Sequence, residues 1–383
     1  MFNKRKINKL FKAVDLELNN KNFDKSLIFV NNILSLDENN FNALYKKAYI
    51  IYLKGSYKEA INTLKHILNI KTCEEVLLLL GRISFLLEDY DAGINYYKLS
   101  LDINIFNYEK YVDEIFFFGD VKEKYISQNY LKFSKYSLDL CDLIIEEYDD
   151  ADTKLWKSYK LYLLDRYDES LEILEDLLFL IPDNPLVYYL KAANLLKFKQ
   201  YEESIIFAEK GLNLDSNEVL LIQIKAKALY FLKEYEESLY YFNKANTVEE
   251  IHDSYLFISK INIVRGEWFN SLENINKAIQ GSEDFFNNLK ISPSESFYQE
   301  DYLNLFWYKS FILYKLGKFD DAKKILDCLI DKEENVKYYC LKAKILYEMN
   351  DYEASLKFVN KTLDLDSNCS HAKSLKEKIE KQI

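Results

Sequence analysis

The sequence predicts an all-α chain built as a solenoid of antiparallel helix pairs. Three observations carry that reading. The 383 residues include only 8 Gly and 3 Pro, where ordinary usage would supply roughly 27 and 19. One short motif returns at intervals close to 34 residues. Between its copies the apolar residues fall at helical spacing, as Leu44, Ile51, Leu64 and Ile67 do. So few turn-formers cannot serve the tight turns of a sandwich, barrel or propeller. With 49% apolar and 30% charged residues, the chain has enough apolar side chains to bury a sizeable core. A single core of this length would split into domains unless the chain is a repeat array.

The motif is an aromatic, two mostly charged residues, a small residue and an apolar stripe. Its aromatics are Phe23, Tyr57, Tyr90, Phe133, Tyr167, Tyr201, Tyr235, Trp268, Phe319 and Tyr352. Each unit reads as two helices, one ending before the aromatic and one beginning at it. Nine residues before the aromatic stands a small side chain in eight units: Ala48, Gly81, Ser158, Ala192, Ala226, Ser259, Ser310 and Ala343. Three residues after it stands another in nine: Ser26, Ala60, Gly93, Ser170, Ser204, Ser238, Ser271, Ala322 and Ser355. Small residues there let the two helices approach closely, while the aromatic plugs the gap beside their turn.

In chain order, the first unit opens on a basic stretch, Lys4, Arg5, Lys6, Lys9 and Lys12, which reads as a solvated helix face. Units two and three are regular. The fourth carries Lys124 and Tyr136 at the small positions, and it is the least regular. A 43-residue step before it leaves about nine extra residues near 103–119. Units five to eight are regular again. A 51-residue step then leaves about 17 extra residues near 281–301, with Pro293 and a serine cluster. Both insertions are candidate loops or extra helical turns. Units nine and ten follow, and the stretch near 369–382 reads as a polar capping helix. Glycine stands in the turn inside a unit only at Gly55, Gly266 and Gly317, so the turn geometry is expected not to demand it. The expectation is one elongated array over 1–383.

The period, the small residues and the aromatic before the second helix resemble the tetratricopeptide repeat, over about residues 5–368 and about ten repeats. The departures are specific. The early tryptophan is replaced by Leu44, Leu77, Tyr188, Ile222, Tyr255, Phe306 or Tyr339, and the late proline survives only as Pro182. The resemblance implies a right-handed superhelix whose first helices line a concave face, and a non-catalytic scaffold that holds a protein or peptide partner there. Its groove positions fall on Tyr45, Tyr49, Tyr52, Arg82, Phe85, Tyr159, Tyr162 and Tyr189. They continue with Lys227, Tyr230, Lys260, Trp307, Phe311, Tyr314, Lys344 and Tyr347. Tyr and Trp give large contact areas with a polar handle, although some of these rings are equally suited to packing between helices. The family's Lys–Asn–Arg clamp for acidic C-terminal peptides is not matched. Where its Asn is sought stand Asp15, Tyr49, Arg82, Tyr159, Ala193, Lys227, Lys260, Phe311 and Lys344. The lysines among them suit an acidic or carboxylate-bearing segment.

The rest of the sequence argues against catalysis and against a cofactor or metal. His66, His252 and His371 lie in different units, with no phosphate loop, nucleophile elbow or His-Glu-x-x-His. Cys73, Cys141, Cys328, Cys340 and Cys369 contain no Cys-x-x-Cys and read as small reduced core residues. Cys328 and Cys340 sit in adjacent units and are the pair with a chance of meeting. The run from Glu146 to Asp152 lacks the glycine and alternating oxygens of a calcium loop. Net charge is −11, concentrated in residues 101–250 with 17 basic and 30 acidic side chains. That balance disfavours nucleic acid. RNA binding by a helical repeat is the alternative function, and only four arginines serve it. No apolar run approaches the roughly 18 residues of a membrane span. A cytoplasmic location is expected.

Overall fold

A computed structural model of the chain describes residues 2–87, 89–103, 138–146, 150–289 and 299–382. These are helices joined by turns, with no strand among the described residues. The helices are α1 (Phe2–Asn19), α2 (Phe23–Leu34), α3 (Phe41–Leu53), α4 (Tyr57–Ile70), α5 (Glu74–Leu86), α6 (Tyr90–Ile103) and α7 (Ala151–Leu163). There follow α8 (Tyr167–Leu180), α9 (Pro185–Lys197), α10 (Tyr201–Leu214), α11 (Val219–Phe231), α12 (Tyr235–Val248) and α13 (His252–Arg265). The remainder are α14 (Trp268–Leu289), α15 (Gln299–Lys315), α16 (Phe319–Ile330), α17 (Val336–Glu348), α18 (Tyr352–Leu365) and α19 (Ser370–Ile379). Residues 138–146 are also helical. Phe133, Lys124 and Tyr136 of the irregular fourth repeat lie outside the described residues. So do most of the insertion near 103–119 and residues 290–298 of the second.

The chain divides into two compact units, and the division falls inside α7 between residues 160 and 161. In the first, α1 to α6 pack as consecutive pairs. Residues 138–146 close that unit by laying Leu140, Cys141 and Ile144 against Phe85, Tyr97 and Leu101. In the second unit the same pairing runs from α9 to α18, and α19 packs its Ala372, Leu375 and Ile379 on Ala343 and Val359. Each fully buried Leu or Ile in these interfaces contributes about 1.5–3 kcal/mol.

The small residues do more than make room. Ser204 Oγ donates to the Ala192 carbonyl, Ser238 to Ala226 and Ser355 to Ala343, each at 2.8 Å. Ser271 donates to Ser259 at 3.0 Å. Donor and acceptor are always 12 residues apart, and the serines are fully buried. A hydroxyl therefore bonds across the pair at the point of closest approach, where a larger side chain would force the helices apart. The third repeat solves the same contact with glycine. A Cβ on Gly81 would lie 2.9 Å from the Tyr97 ring, and one on Gly93 would lie 3.1 Å from Phe85.

At eight turns between paired helices the C-cap is left-handed, and five of the eight hold a residue other than glycine, in line with the expectation that the geometry does not demand it. Gly55, Gly266 and Gly317 have φ of 73–78°, and Lys21, Asp165, Lys199, Lys233 and Asn350 occupy the same position with φ of 57–67°. The next amide then donates back to the carbonyl five residues earlier, as Ser56 does to Ile51 at 3.1 Å and Glu234 to Leu229 at 2.9 Å. This is the Schellman bond pattern. L-residues pay about 1–2 kcal/mol for that conformation, and the cost is tolerated at five of the eight turns.

Cysteine placement also departs from the sequence expectation. Cys328 is exposed, and it is Cys369 that lies beside Cys340, both as free thiols.

Replacing Lys199 or Lys233 with Gly is expected to stabilise the chain by up to about 1 kcal/mol each, part of the gain being offset by the entropy of an unfolded glycine. The converse Gly266→Ala, whose added Cβ meets nothing within 4 Å, is expected to lower stability by about 1 kcal/mol through the backbone alone. Urea midpoints of the three variants against the parent check both signs.

Candidate functional site

On each first helix, the positions five, eight and twelve residues before the turn aromatic lie within about 60° of one another around the axis. All sixteen groove residues implied by the repeat resemblance occupy these positions. They turn to the side opposite the residue ten before the aromatic, which meets the preceding repeat. Fifteen of the sixteen are partly exposed, and Phe85 is the exception at 1%. The glycines of the third repeat open a space into which Phe85 falls, stacked on Tyr97 with centroids 5.4 Å apart. It presents no surface to a partner.

The position five before the aromatic has a shared structural duty. Tyr52, Tyr162, Tyr230, Tyr314 and Tyr347 each pack on the aromatic that follows their own turn. The centroid distances run from 5.5 to 6.0 Å. These rings bracket the turn and are only partly exposed.

The positions eight and twelve before the aromatic are less committed. In the first unit, Tyr45 and Tyr49 stack at 6.5 Å and 13°. Burial, helped by Glu75, pushes the Tyr45 hydroxyl up to about 12. Arg82 stands in the next repeat and acts on Tyr45 with its charge. Tyr159 meets Trp156 edge-on at 5.9 Å, and burial raises its hydroxyl too.

In the second unit, Trp307 and Phe311 form the equivalent stack at 5.9 Å and 13°. The Trp307 indole N–H is buried and has no hydrogen-bond partner among the described residues. Lys227 pairs with Asp253 of the next repeat at 2.5 Å. Burial pushes the Asp253 carboxyl up, but Lys227 outweighs it and the net shift is downward. Lys260 lies 4.8 Å from the Phe257 centroid and 5.1 Å from that of Tyr308. Tyr189 and Lys344 are partly exposed on their own repeats.

Sequence reasoning missed a second set of lysines, ten residues before the aromatic. Lys191, Lys225 and Lys342 are 6–8% exposed. Each pairs with an acid on the preceding second helix: Glu175, Glu209 and Asp327 respectively. Each ammonium also lies 4.2–4.3 Å from a ring of its own second helix, Phe207, Tyr241 or Phe358. In the first unit Lys157 pairs with Asp142. These lysines tie successive repeats together and lie on the side of the first helix opposite those sixteen positions. Their signal was present in the alignment, because the acids of the second unit recur eight residues after the aromatic. Burial pulls the Lys225 ammonium down, yet bonds to Glu209 and Tyr241 outweigh it and hold the net value above that of free lysine.

Among the described residues no group of His, Cys, Asp and Glu is placed to hold a metal ion. None of their helices is long and apolar enough to cross a membrane. Asp150, from the acidic run, caps α7 by accepting from the Thr153 amide and hydroxyl, both at 2.8 Å.

Residues 336–369 match the family described as tetratricopeptide repeat. Residues 19–98 match that described as anaphase-promoting complex, cyclosome, subunit 3. A search of the curated proteins found no match. Similar solved structures include PilF of Pseudomonas aeruginosa, at 13% identity and TM-score 0.50 over 60% of this chain and 97% of that one. Another is a tetratricopeptide-repeat protein from Parabacteroides merdae, at 14% identity and TM-score 0.46 over 71% and 98%. A third is the Cut9–Hcn1 hetero-tetramer of the anaphase-promoting complex, at 12% and 0.41 over 97% and 96%. The likeness to PilF is one of fold.

The raised Lys225 value fixes the sign of a pH effect. A group held above its unfolded value contributes stability below about pH 10.4 and loses it as pH rises through the folded value. Between pH 8 and 11 the parent is therefore expected to lose more urea resistance than Lys225→Met. Parallel denaturation curves at the two pH values measure the difference.

Proposed function

We propose that this tetratricopeptide-repeat protein is a non-catalytic scaffold that holds a segment of a partner protein against the open faces of its first helices. The observation that carries the proposal is the pair of partly exposed aromatic stacks, Tyr45–Tyr49 in the first unit and Trp307–Phe311 in the second. Both sit at the positions eight and twelve before the turn aromatic, and all four rings keep part of their surface open. Rings held in a stack lose little further rotamer freedom on binding, so their contact area converts to affinity at low entropic cost. His252, by contrast, packs against Phe285 at 6.1 Å, and burial lowers its pKa.

The bracket tyrosines make poor probes, since truncating them also disturbs the turn. A photo-crosslinking residue at Tyr49 or at Trp307 is expected to capture a protein partner from lysate of the native organism. The same residue at Tyr240, 64% exposed on a second helix, is expected not to. Against the captured partner, Tyr49→Ala and Trp307→Ala should each lower affinity about ten- to thirtyfold, the order of a hot-spot loss. Crosslinks from Tyr240 alone, or to nucleic acid, would overturn the proposal.

A further inference from the structure

In the second unit a turn aromatic meets a side chain from the end of the next first helix. Phe198 packs edge-on against Tyr167 with centroids 5.9 Å apart, and Phe231 stacks on Tyr201 at 5.1 Å and 13°. At Trp268, the one tryptophan among the turn aromatics, the cover is Lys315. Phe231 and Lys315 hold the same place, four residues before their own turn aromatic. The Lys315 ammonium lies 5.8 Å from the Trp268 centroid, 5.6 Å from that of Phe311 and 5.5 Å from that of Tyr314. Trp268 and Phe311 stand at 73° with centroids 6.2 Å apart, so the two rings wall a corner. Lys260 and Lys361 each lie near two rings, and Lys315 lies near three. It is exposed, and among the described residues it has no ion pair or hydrogen bond. A ring packed as Phe231 is leaves its place only if the repeats part, whereas an exposed ammonium on a flexible stem leaves freely.

We propose that Trp268, Phe311 and Tyr314 form a cation-binding corner that accepts an arginine side chain of the partner segment, with Lys315 as the resident cation it displaces. The proposal rests on the groove reading above and adds the chemistry of one contact, opposite in charge to the segment that the first-helix lysines suit. Indole is the ring that attracts a cation most strongly. A lysine from outside offers the rings nothing that the tethered Lys315 lacks. A guanidinium does, because it is planar, weakly hydrated and stacks on an aromatic face. Glu348 holds the Lys315 place in the following repeat, is exposed, and acts on Tyr314 with its negative charge. The net charge of −11 also draws a basic segment towards the chain. The displaced Lys315 ammonium returns to water while its stem stays along the surface.

The test uses the full chain with nitrogen-15 tryptophan, whose indole N–H signals report Trp156, Trp268 and Trp307 separately. Four probes are titrated at matched ionic strength. They are acetyl-Gly-Ser-Arg-Ser-Gly-amide and the same peptide with lysine, trimethyllysine or citrulline in place of arginine. The arginine peptide is expected to shift the Trp268 signal saturably and leave Trp156 unmoved. The lysine peptide is expected to bind at least about threefold more weakly, and the neutral citrulline peptide to leave Trp268 in place. No saturable shift, or binding of the lysine or citrulline peptide equal to that of arginine, overturns the corner. Tighter binding of the trimethyllysine peptide overturns the choice of a guanidinium.

Two variants test the displacement and separate the corner from the groove. Lys315→Gln removes the resident cation and is expected to tighten the arginine peptide at least about threefold. Lys318→Gln removes the same charge from an exposed lysine nearby and is expected to change nothing. Equal tightening in both, or in neither, overturns the displacement. Trp268→Phe keeps the turn, since Phe23 and Phe319 hold that place in other repeats, but offers a cation a weaker ring. Its affinity for the crosslinked partner is expected to fall about fivefold. Unchanged affinity in Trp268→Phe beside a loss in Tyr49→Ala overturns the corner and leaves the groove standing. Unchanged affinity in Trp268→Phe, Tyr49→Ala and Trp307→Ala overturns the groove and the corner together as sites for that partner.

Discussion

Everything in this chain depends on how closely the two helices of a repeat can approach at one point. That point is the pair of small residues 12 positions apart, fully buried where it is Ser204 against Ala192 or Ser238 against Ala226. The serine hydroxyl bonds to the facing carbonyl, so the contact is set by a directional interaction as well as by bulk. With that distance fixed, a left-handed turn and an aromatic are what can close the pair. The aromatic opens every described second helix that follows such a turn, from Phe23 to Tyr352. The strain of a non-glycine residue at φ near 60° is accepted because the packing on both sides over-determines the turn.

Successive pairs are then joined by charge as much as by apolar contact. A lysine such as Lys225 is enclosed by Glu209 of one repeat and Tyr241 of its own. A long side chain buried along its stem and paired at its tip fills space and sets register at once. The consequence reaches the candidate site. Because the tie and the small pair occupy two sides of the first helix, the remaining arc is left for other uses. That arc carries the Tyr45–Tyr49 and Trp307–Phe311 stacks and Lys260.

Much of this was legible in order along the chain. The aromatic spacing located the turns and the small residues located the helix contacts, because both reflect local periodicities that the helix imposes. That the sixteen positions implied by the repeat resemblance share one arc of the first helix was legible too, since it follows from helical spacing. Their roles were not. Tyr52, Tyr230 and Tyr347 read the same in sequence as Tyr45, yet the first three bracket turns. Phe85 reads the same as Tyr52, yet it is buried because Gly81 and Gly93 make room for it. Such outcomes depend on a ring's neighbours across the pair, and no spacing rule encodes those.

By itself the sequence determined the all-helical architecture, the paired helices, the turn sites and the face each residue occupies. These follow from composition and from a period repeated often enough to outweigh local irregularity. Only the tertiary structure decided which serines bond across a pair, which lysines are neutralised, and that the turns are left-handed whether or not glycine is there. The physical reason is the same in each case. Hydrogen bonds, ion pairs and desolvation are fixed by distances of a few ångströms between residues far apart in the chain. The opening scarcity of glycine belongs to both halves, since it excluded β folds in the sequence and appears in the structure as strain carried by lysine, aspartate and asparagine.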